Sequence, residues 1–245
     1  MGSSMEQVRA FQQTLARPAG GFRTKRGMVE SILSLPSCSG EDRTEKLIER
    51  LCQSSISIDT KKSGGSGVIV FADGSDALVL TARHVIEAAL RSEKSKSLKL
   101  RNDGRSAKAR RLLVAPHGID VALVEARGNI GPPAPIGTEK PRLGAKVIVI
   151  GAGMGIDNSV SMGIVSKVFM EKARKFGYDI IQTDAVINPG NSGGGIFKAA
   201  TGELVGVTCY KLVVGGKRLA EGGFAISVNL MLKAPLEGWR VVELA

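Results

Sequence analysis

Short apolar runs rich in valine and isoleucine recur along this chain, and glycine or proline commonly bounds them. Runs of this length and composition are typical of β-strands, and glycine and proline between them are typical of tight turns. The sequence holds 31 glycines in 245 residues, enough to supply many such turns. Glycine and proline are densest at residues 128–141, where a central strand cannot continue. The pattern therefore predicts an all-β fold with a linker near its middle.

A glycine-rich segment at residues 188–197 (NPGNSGGGIF) places Ser192 directly before an apolar strand. A serine hydroxyl is a weak nucleophile unless a base removes its proton and N–H groups hold the charge that forms on the substrate carbonyl. The turn can expose this hydroxyl and direct the amides of Gly190 and Ser192 at one position. An ordinary hairpin turn or a phosphate loop is the alternative for the motif taken alone.

The chain has two histidines that can serve as the base. His84 follows an apolar strand and begins a predicted short helix at residues 85–90, so its ring is held rigidly, as a general base requires. A capping or core histidine is the alternative. His117 lies in the turn sequence APHG and is predicted to be a loop residue.

Asp120 leads directly into the apolar run VALV. An acidic side chain in that position is costly unless it is paired. We expect it to pair with His84, to fix the tautomer of the ring and to stabilise its charged form. A turn cap or a solubilising strand end is the alternative.

These motifs resemble the trypsin/chymotrypsin-fold serine proteases, and within them the HtrA/Deg-like branch. Two weaker segments, residues 202–207 (GELVGV) and 223–227 (GFAIS), add to the likeness. The resemblance covers residues 60–232. Unrelated folds carry such triads in other chain orders, so the order His, Asp, Ser favours the chymotrypsin-like fold. The four principal matching segments are residues 64–70 (GGSGVIV), 80–85 (LTARHV), 120–124 (DVALV) and 181–194 (IQTDAVINPGNSGG).

The resemblance implies two packed six-stranded antiparallel β-barrels, with His84 and Asp120 on the first and Ser192 on the second. The catalytic triad then lies in the cleft between the barrels, beside an oxyanion hole formed by the amides of Gly190 and Ser192. The expected divisions are a partly helical N-terminal extension at 1–53, the first barrel at 54–127, a linker at 128–141, and the second barrel with a C-terminal segment at 142–245.

Helical spacing marks two parts of the extension, residues 6–15 and residues 41–52. We expect the extension to pack on the barrels; joining protomers or binding a regulatory protein are the alternatives. Proteins of this branch usually carry a PDZ domain after the protease, and we expect none here. The oligomeric state stays open.

The resemblance also implies a substrate pocket. Its base lies six positions before the nucleophile, at Val186, and none of its residues is acidic. A buried arginine or lysine would be unpaired there, so we predict cleavage after small or medium apolar residues. The alternative is that Asp184 or Glu221 reaches the pocket. The expected walls are Thr208, Cys209, Tyr210 and Phe224.

The sequence thus predicts a serine endopeptidase that acts on protein or peptide substrates through an acyl-enzyme, with no cofactor and no metal. Two alternatives stay open. One is a regulatory or binding module on a protease fold. The other is a protease that stays latent until a partner remodels the loops around the active site.

The formal net charge is +11, with basic groups at residues 91–111 and 167–175. A solvated surface is one interpretation, and attraction to acidic substrates, partner proteins or nucleic acid is the other. Only 4% of residues are aromatic, which weakens any interpretation as a stacking platform for single-stranded nucleic acid.

The N-terminus is polar and has no apolar core segment, so we expect neither a signal peptide nor a membrane anchor. Three cysteines leave one unpaired in any intramolecular scheme. Reduced thiols and the missing signal together predict a cytoplasmic location.

Overall fold

The structure is a computed structural model, and most of the chain after residue 39 is described. Residues 1–39, with the predicted helix at residues 6–15, lie outside the described part. The described ranges are 40–60, 64–91, 98–116, 118–152, 158–173, 176–209, 213–214, 217–218, 223–230 and 239–244.

The first barrel closes in the strand order β5-β4-β1-β2-β3-β6, with β6 pairing back onto β5. All of its neighbouring strands are antiparallel. Helix α2, Arg83–Arg91, follows β3 and matches the predicted short helix. The strands are β1 Ser55–Asp59, β2 Gly64–Ala72, β3 Asp76–Thr81, β4 Lys99–Asn102, β5 Arg105–Val114 and β6 Ala122–Arg127.

The second barrel closes in the order β10-β11-β14-β9-β8-β7. A separate short hairpin pairs β12, Val213–Val214, with β13, Lys217–Arg218. The predicted all-β fold with two six-stranded antiparallel barrels is therefore confirmed. The strands of this barrel are β7 Lys146–Gly151, β8 Ser159–Ala173, β9 Phe176–Thr183, β10 Gly195–Lys198, β11 Leu204–Thr208 and β14 Gly223–Ser227.

Strand β7 shows why the apolar runs of this chain are nearly continuous. Val147 and Val149 face the interior of the second barrel. Ile148 and Ile150 face the opposite way, into a cluster that the first barrel shares, and they are equally buried. Because both faces of the strand are covered, the polar alternation of a half-exposed strand is absent.

The two ends of the described chain cross between the barrels. Helix α1, Gly40–Cys52, precedes the first barrel, but Leu47 packs against the turn at Gly202 between β10 and β11. Strand β15, Arg240–Glu243, follows the second barrel, but it pairs with Arg111–Val114 of β5 in the first barrel. The helical spacing at residues 41–52 predicts α1, whereas β15 was not predicted from the sequence.

The linker is also hydrogen-bonded to both barrels. The amide of Ala134 donates to the carbonyl of Ile69 on β2 over 2.8 Å. The amide of Leu204 on β11 donates to the carbonyl of Pro135 over 2.7 Å. The barrels therefore pack as one unit, although the exact boundaries of extension, barrels and linker stay predictions. No helix in the described ranges is long and apolar enough to cross a bilayer.

A buried carboxylate ties β5, β6 and β15 together. Glu125 is fully buried and accepts hydrogen bonds from the guanidinium groups of Arg110 and Arg111, the latter over 3.0 Å. Arg111 also donates to Glu243 of β15 over 2.6 Å. A buried charge of this kind is tolerated only when it is paired and hydrogen-bonded.

We expect Arg111→Met to lower the free energy of unfolding by about 2–4 kcal/mol, because it leaves Glu125 buried with one partner in place of two. Urea denaturation followed by circular dichroism measures this change. Arg101→Met is the matched control: Arg101 pairs with Asp59, and both side chains are more than 40% exposed. Loss of such a surface pair costs about 0–1 kcal/mol. Equal losses in the two variants would contradict the role given to Glu125.

Candidate active site

Asp120 and His84 form a two-point hydrogen-bonded pair. Nδ1 of His84 donates to Oδ2 of Asp120 over 2.7 Å, and the backbone amide of His84 donates to Oδ1 over 2.9 Å. The side chains of His84 and Asp120 are 32% and 23% exposed, so the pair is partly buried and still reaches the protein surface. A carboxylate only accepts hydrogen bonds, so the proton of the neutral ring is on Nδ1 and Nε2 is left as a base.

Two paired strands bring this pair together. His84 is the second residue of α2, shortly after β3 ends at Thr81, and Asp120 shortly precedes β6. Thr81 and Ala122 are register partners across the β3–β6 pair. The antiparallel pairing places the end of β3 beside the start of β6, so His84 and Asp120, which flank these strand ends, lie next to each other.

Ser192 lies in a compact turn between β9 and β10. The amide of Asn191 donates to the carbonyl of Asn188 over 3.0 Å, and the amide of Gly194 donates to the carbonyl of Asn191 over 2.8 Å. Ser192 itself is only 6% exposed, and its carbonyl accepts the amide of Ser66 on β2 over 2.8 Å. The serine is thus held by the opposite barrel.

The strand end that carries His84 packs directly on this turn. Gly193 has φ +85°, and a β-carbon there would collide with the carbonyl oxygen of Ser66 and the hydroxyl of Thr81. Only glycine fits both the backbone angle and the space. A β-carbon on Gly65 would lie 2.6 Å from Val85, the residue after His84, and 3.0 Å from the carbonyl of Ser192. The histidine and serine segments therefore meet at β2.

Thr208 on β11 holds the turn at Ser192 by hydrogen bonds, a role that was not predicted from the sequence. Its side chain is fully buried, and its hydroxyl donates to the carbonyls of Asn191 and Gly194. Its own carbonyl accepts the amide of Gly193 over 2.8 Å. The signal in the sequence was weak, because a threonine that ends an apolar strand has many uses.

The remaining residues of the expected pocket differ in exposure. Val186 is 58% exposed, and its carbonyl accepts the hydroxyl of Ser161 over 2.7 Å. Phe224 and Cys209 are buried. The carboxylate of Asp184 accepts the backbone amide of Ile164 on β8 over 2.6 Å. The predicted pocket residue Tyr210, the alternative acid Glu221 and the second histidine, His117, lie outside the described residues.

Two weak acids lie close to Asp120 and stay neutral. Sγ of Cys209 is 4.0 Å from the carbonyl oxygen of Asp120, and burial raises the pKa of this thiol well above its usual value, with the Asp120 carboxylate adding to the effect. Burial, and then the carboxylate of Glu171, raises the pKa of Tyr178 to about 12. Neither group therefore adds negative charge beside Asp120 near pH 7.

No group of three or more His, Cys, Asp or Glu side chains in the described ranges is arranged to hold a metal ion.

Two closed six-stranded antiparallel barrels, with a His–Asp pair on one and a glycine-flanked serine on the other, define the chymotrypsin-like class of fold. A family model described as "Trypsin-like peptidase domain" matches residues 65–207. The chain belongs to this trypsin-like peptidase family, as the sequence resemblance predicted.

The HtrA/Deg-like branch is confirmed as well. A relative from Halomonas elongata named "Probable periplasmic serine endoprotease DegP-like" is 37% identical over 175 residues, which cover 71% of this chain and 35% of that relative. The chain thus spans about a third of the length of such relatives. The HtrA-type protease AlgW, solved with a tripeptide, is 30% identical with a TM-score of 0.62, over 78% of this chain and 61% of AlgW.

A serine endoprotease from Yersinia pestis has a TM-score of 0.59 and 24% identity, over 82% of this chain and 69% of that one. At this identity, the similarity to the Yersinia pestis protein shows a shared fold alone.

The predicted cytoplasmic location is wrong, because the curated relatives are named periplasmic. The two observations behind that prediction do not bear on location. Secretory segments are removed from mature chains, so their absence from a sequence does not exclude export. Neither Cys52 nor Cys209 is in a disulfide, and Cys209 is fully buried in the core, where its role is packing.

Proposed function

We propose that this domain is a serine endopeptidase that hydrolyses peptide bonds of proteins or peptides through a Ser192–His84–Asp120 triad. The observation that carries the proposal is the two-point contact between Asp120 and His84. It fixes both the tautomer and the orientation of the imidazole, which is what a general base needs. Family membership supports the same reaction class.

In the proposed reaction, Nε2 of His84 takes the proton from Oγ of Ser192 as the oxygen attacks the scissile carbonyl. The resulting imidazolium is stabilised by the Asp120 carboxylate and then protonates the leaving amine. Water enters, His84 takes one of its protons, and the acyl-enzyme is hydrolysed by the same route in reverse order.

The negative charge on the carbonyl oxygen needs N–H donors at fixed positions. We propose the amides of Gly190 and Ser192 for this role. The neighbouring amides of Asn191, Gly193 and Gly194 donate to backbone carbonyls. The amide of Gly190 has no acceptor among the described residues, which supports its availability for a substrate oxygen.

A binding module for acidic partners or nucleic acid has less support. Part of the basic charge on β4 and β5 is used within the protein: Arg101 pairs with Asp59, while Arg110 and Arg111 pair with Glu125. A scaffold also has no need of a histidine held at two points by a carboxylate. A latent protease that a partner activates keeps the same triad, and labelling of Ser192 by a serine-reactive fluorophosphonate, with and without a partner, tests it.

The substrate class follows from the site and from the relatives. The relatives are named endoproteases and AlgW was solved with a tripeptide, so we propose a peptide segment in extended conformation. For its primary pocket we propose an apolar surface around Val186 and Phe224. The carboxylate of Asp184 accepts the amide of Ile164 on β8, which supports placing this charge outside the pocket.

We expect cleavage of a denatured, alkylated protein to occur after valine, alanine, isoleucine and leucine, with only a broad preference, because one methylene discriminates by about 1–3 kcal/mol. Mass spectrometry of the new termini measures this, with the Ser192→Ala protein incubated in parallel. Val186→Asp is expected to shift cleavage towards arginine and lysine. A dominant basic signature in the unmodified protein, lost on Asp184→Asn, would refute the apolar pocket.

We also propose that the protein acts in the periplasm, as the names of its relatives indicate. The extension before the first barrel is the proposed site for a regulatory protein partner. Its helix α1 contacts both barrels, so a partner bound there would act on their packing.

A further inference from the structure

Ser66 on β2 is fully buried and uses every hydrogen-bonding group it has. Its amide donates to the carbonyl of Ser192 over 2.8 Å, and its carbonyl accepts the hydroxyl of Thr81 over 2.7 Å. Its hydroxyl donates to the carbonyl of Gly190 over 2.7 Å and accepts the amide of Ala152 over 2.6 Å. Three of these four partners belong to the second barrel.

The site demands a hydroxyl in particular. The carbonyl of Gly190 needs a donor and the amide of Ala152 needs an acceptor, and a hydroxyl is the smallest side-chain group that is both. A β-carbon on Gly151 would already lie 2.8 Å from this oxygen, so the space is filled. Removal of the hydroxyl leaves the buried amide of Ala152 and the part-buried carbonyl of Gly190 without this partner.

The bond to Gly190 bears on the proposed oxyanion hole. Gly190 has φ +97° and no β-carbon, so nothing in its own chemistry fixes the directions of its two peptide planes. The plane between Gly190 and Asn191 is held at both ends: Ser66 binds its carbonyl, and its amide donates to Asn188. Holding this plane limits how far the Gly190 amide can turn.

We propose that Ser66 is a positioning residue that holds the Gly190 amide in line with the oxyanion, so that the first barrel sets the geometry of the turn on the second. The inference rests on the proposed triad chemistry. It extends that chemistry by giving a strand serine, far from the nucleophile in sequence, a part in transition-state stabilisation.

The test is Ser66→Ala, with kcat and KM measured on a peptide found by the cleavage mapping. Loss of one oxyanion donor costs about 10²- to 10³-fold in kcat. Because the donor is misplaced and still present, we expect a fall of about 10- to 100-fold, with KM nearly unchanged. Ser66→Cys keeps a similar shape with a weak donor and acceptor, and an intermediate kcat is expected.

Ser55→Ala is the matched control. Ser55 is a buried strand serine of the same barrel, and its hydroxyl donates to the carbonyl of Leu51 over 3.1 Å. It loses a comparable buried hydrogen bond away from the turn. We expect its kcat per folded molecule to match that of the unmodified protein.

Hydrogen–deuterium exchange separates this inference from the proposed function. Amides of residues 186–195 are expected to exchange faster in Ser66→Ala and at the normal rate in Ser55→Ala. Unchanged exchange in that segment, or an unchanged kcat despite faster exchange, overturns the positioning role. If the unmodified protein hydrolyses no peptide and its Ser192 reacts with no serine-directed probe, with or without a partner, the proposed function fails. The exchange data then decide by themselves whether Ser66 anchors the turn.

Discussion

Ser192→Ala is expected to lower kcat for peptide hydrolysis by about 10⁵- to 10⁶-fold, the loss typical of removing a serine nucleophile from such a triad. The remaining oxyanion donors and binding groups leave a small residual rate. A fluorophosphonate probe, which phosphonylates activated serines with loss of fluoride, provides the direct measurement: labelling should occur at Ser192 and vanish in the variant. His84→Ala should abolish labelling too, because the triad acts as a unit.

Ser106→Ala on the exposed face of β5 is the control for serine loss, and His117→Ala is the control for histidine loss; both should be nearly silent. A folded Ser192→Ala protein that hydrolyses peptides at the normal rate would refute the triad. Labelling of the unmodified protein only after addition of a partner would identify the latent form.

Asp120→Asn is expected to lower kcat by about 10⁴-fold with little change in stability. The carboxylate accepts from both the ring Nδ1 and the backbone amide of His84. An asparagine offers one acceptor oxygen, and its amide group then faces the other nitrogen. The ring is expected to adopt the tautomer with the proton on Nε2, which cannot act as the base.

Asp59→Asn is the matched control, since it removes an equal charge from the exposed pair with Arg101. Its kcat should stay within about two-fold of the unmodified value, as expected for a surface charge far from the reacting atoms. If the two variants lost activity equally, a specific role for Asp120 would be excluded.

The parts of the fold that sequence predicted are those whose signals are local. Strand β7 is indicated by six consecutive, mostly apolar residues. Helix α1 is indicated by the helical spacing of its apolar residues, and the turn at Ser192 by its glycines. Asp120 is predicted to pair with His84 because an acidic side chain that leads into an apolar run is costly unless it is paired. Such signals depend on residues only a few positions apart, so they can be recognised in the sequence without the tertiary structure.

The parts that sequence could not predict depend on contacts between distant segments. Strand β15 has only two apolar residues in RVVE, and its partner on β5 creates it. The hydroxyl of Ser66 acquires its role only when the second barrel packs against the first. The hydroxyl of Thr208 acquires its role only when β11 packs beside the turn at residues 188–194. The cytoplasmic prediction failed for another reason: it rests on the missing signal segment and on the number of cysteines, and neither reports the compartment. Cys209, for example, is a core residue.

The crossing of the chain ends has a consequence for biosynthesis. A ribosome releases the first barrel before the second, but β15, which extends the sheet at β5, emerges only after the second barrel has been made. Likewise, α1 is made early and must wait for the turn at Gly202 before Leu47 finds its contact. Domains usually fold as units in the order of their synthesis. Here the first barrel lacks its contact with β15 until the end of the chain has been made. A partly translated chain therefore does not carry the complete cleft between the barrels.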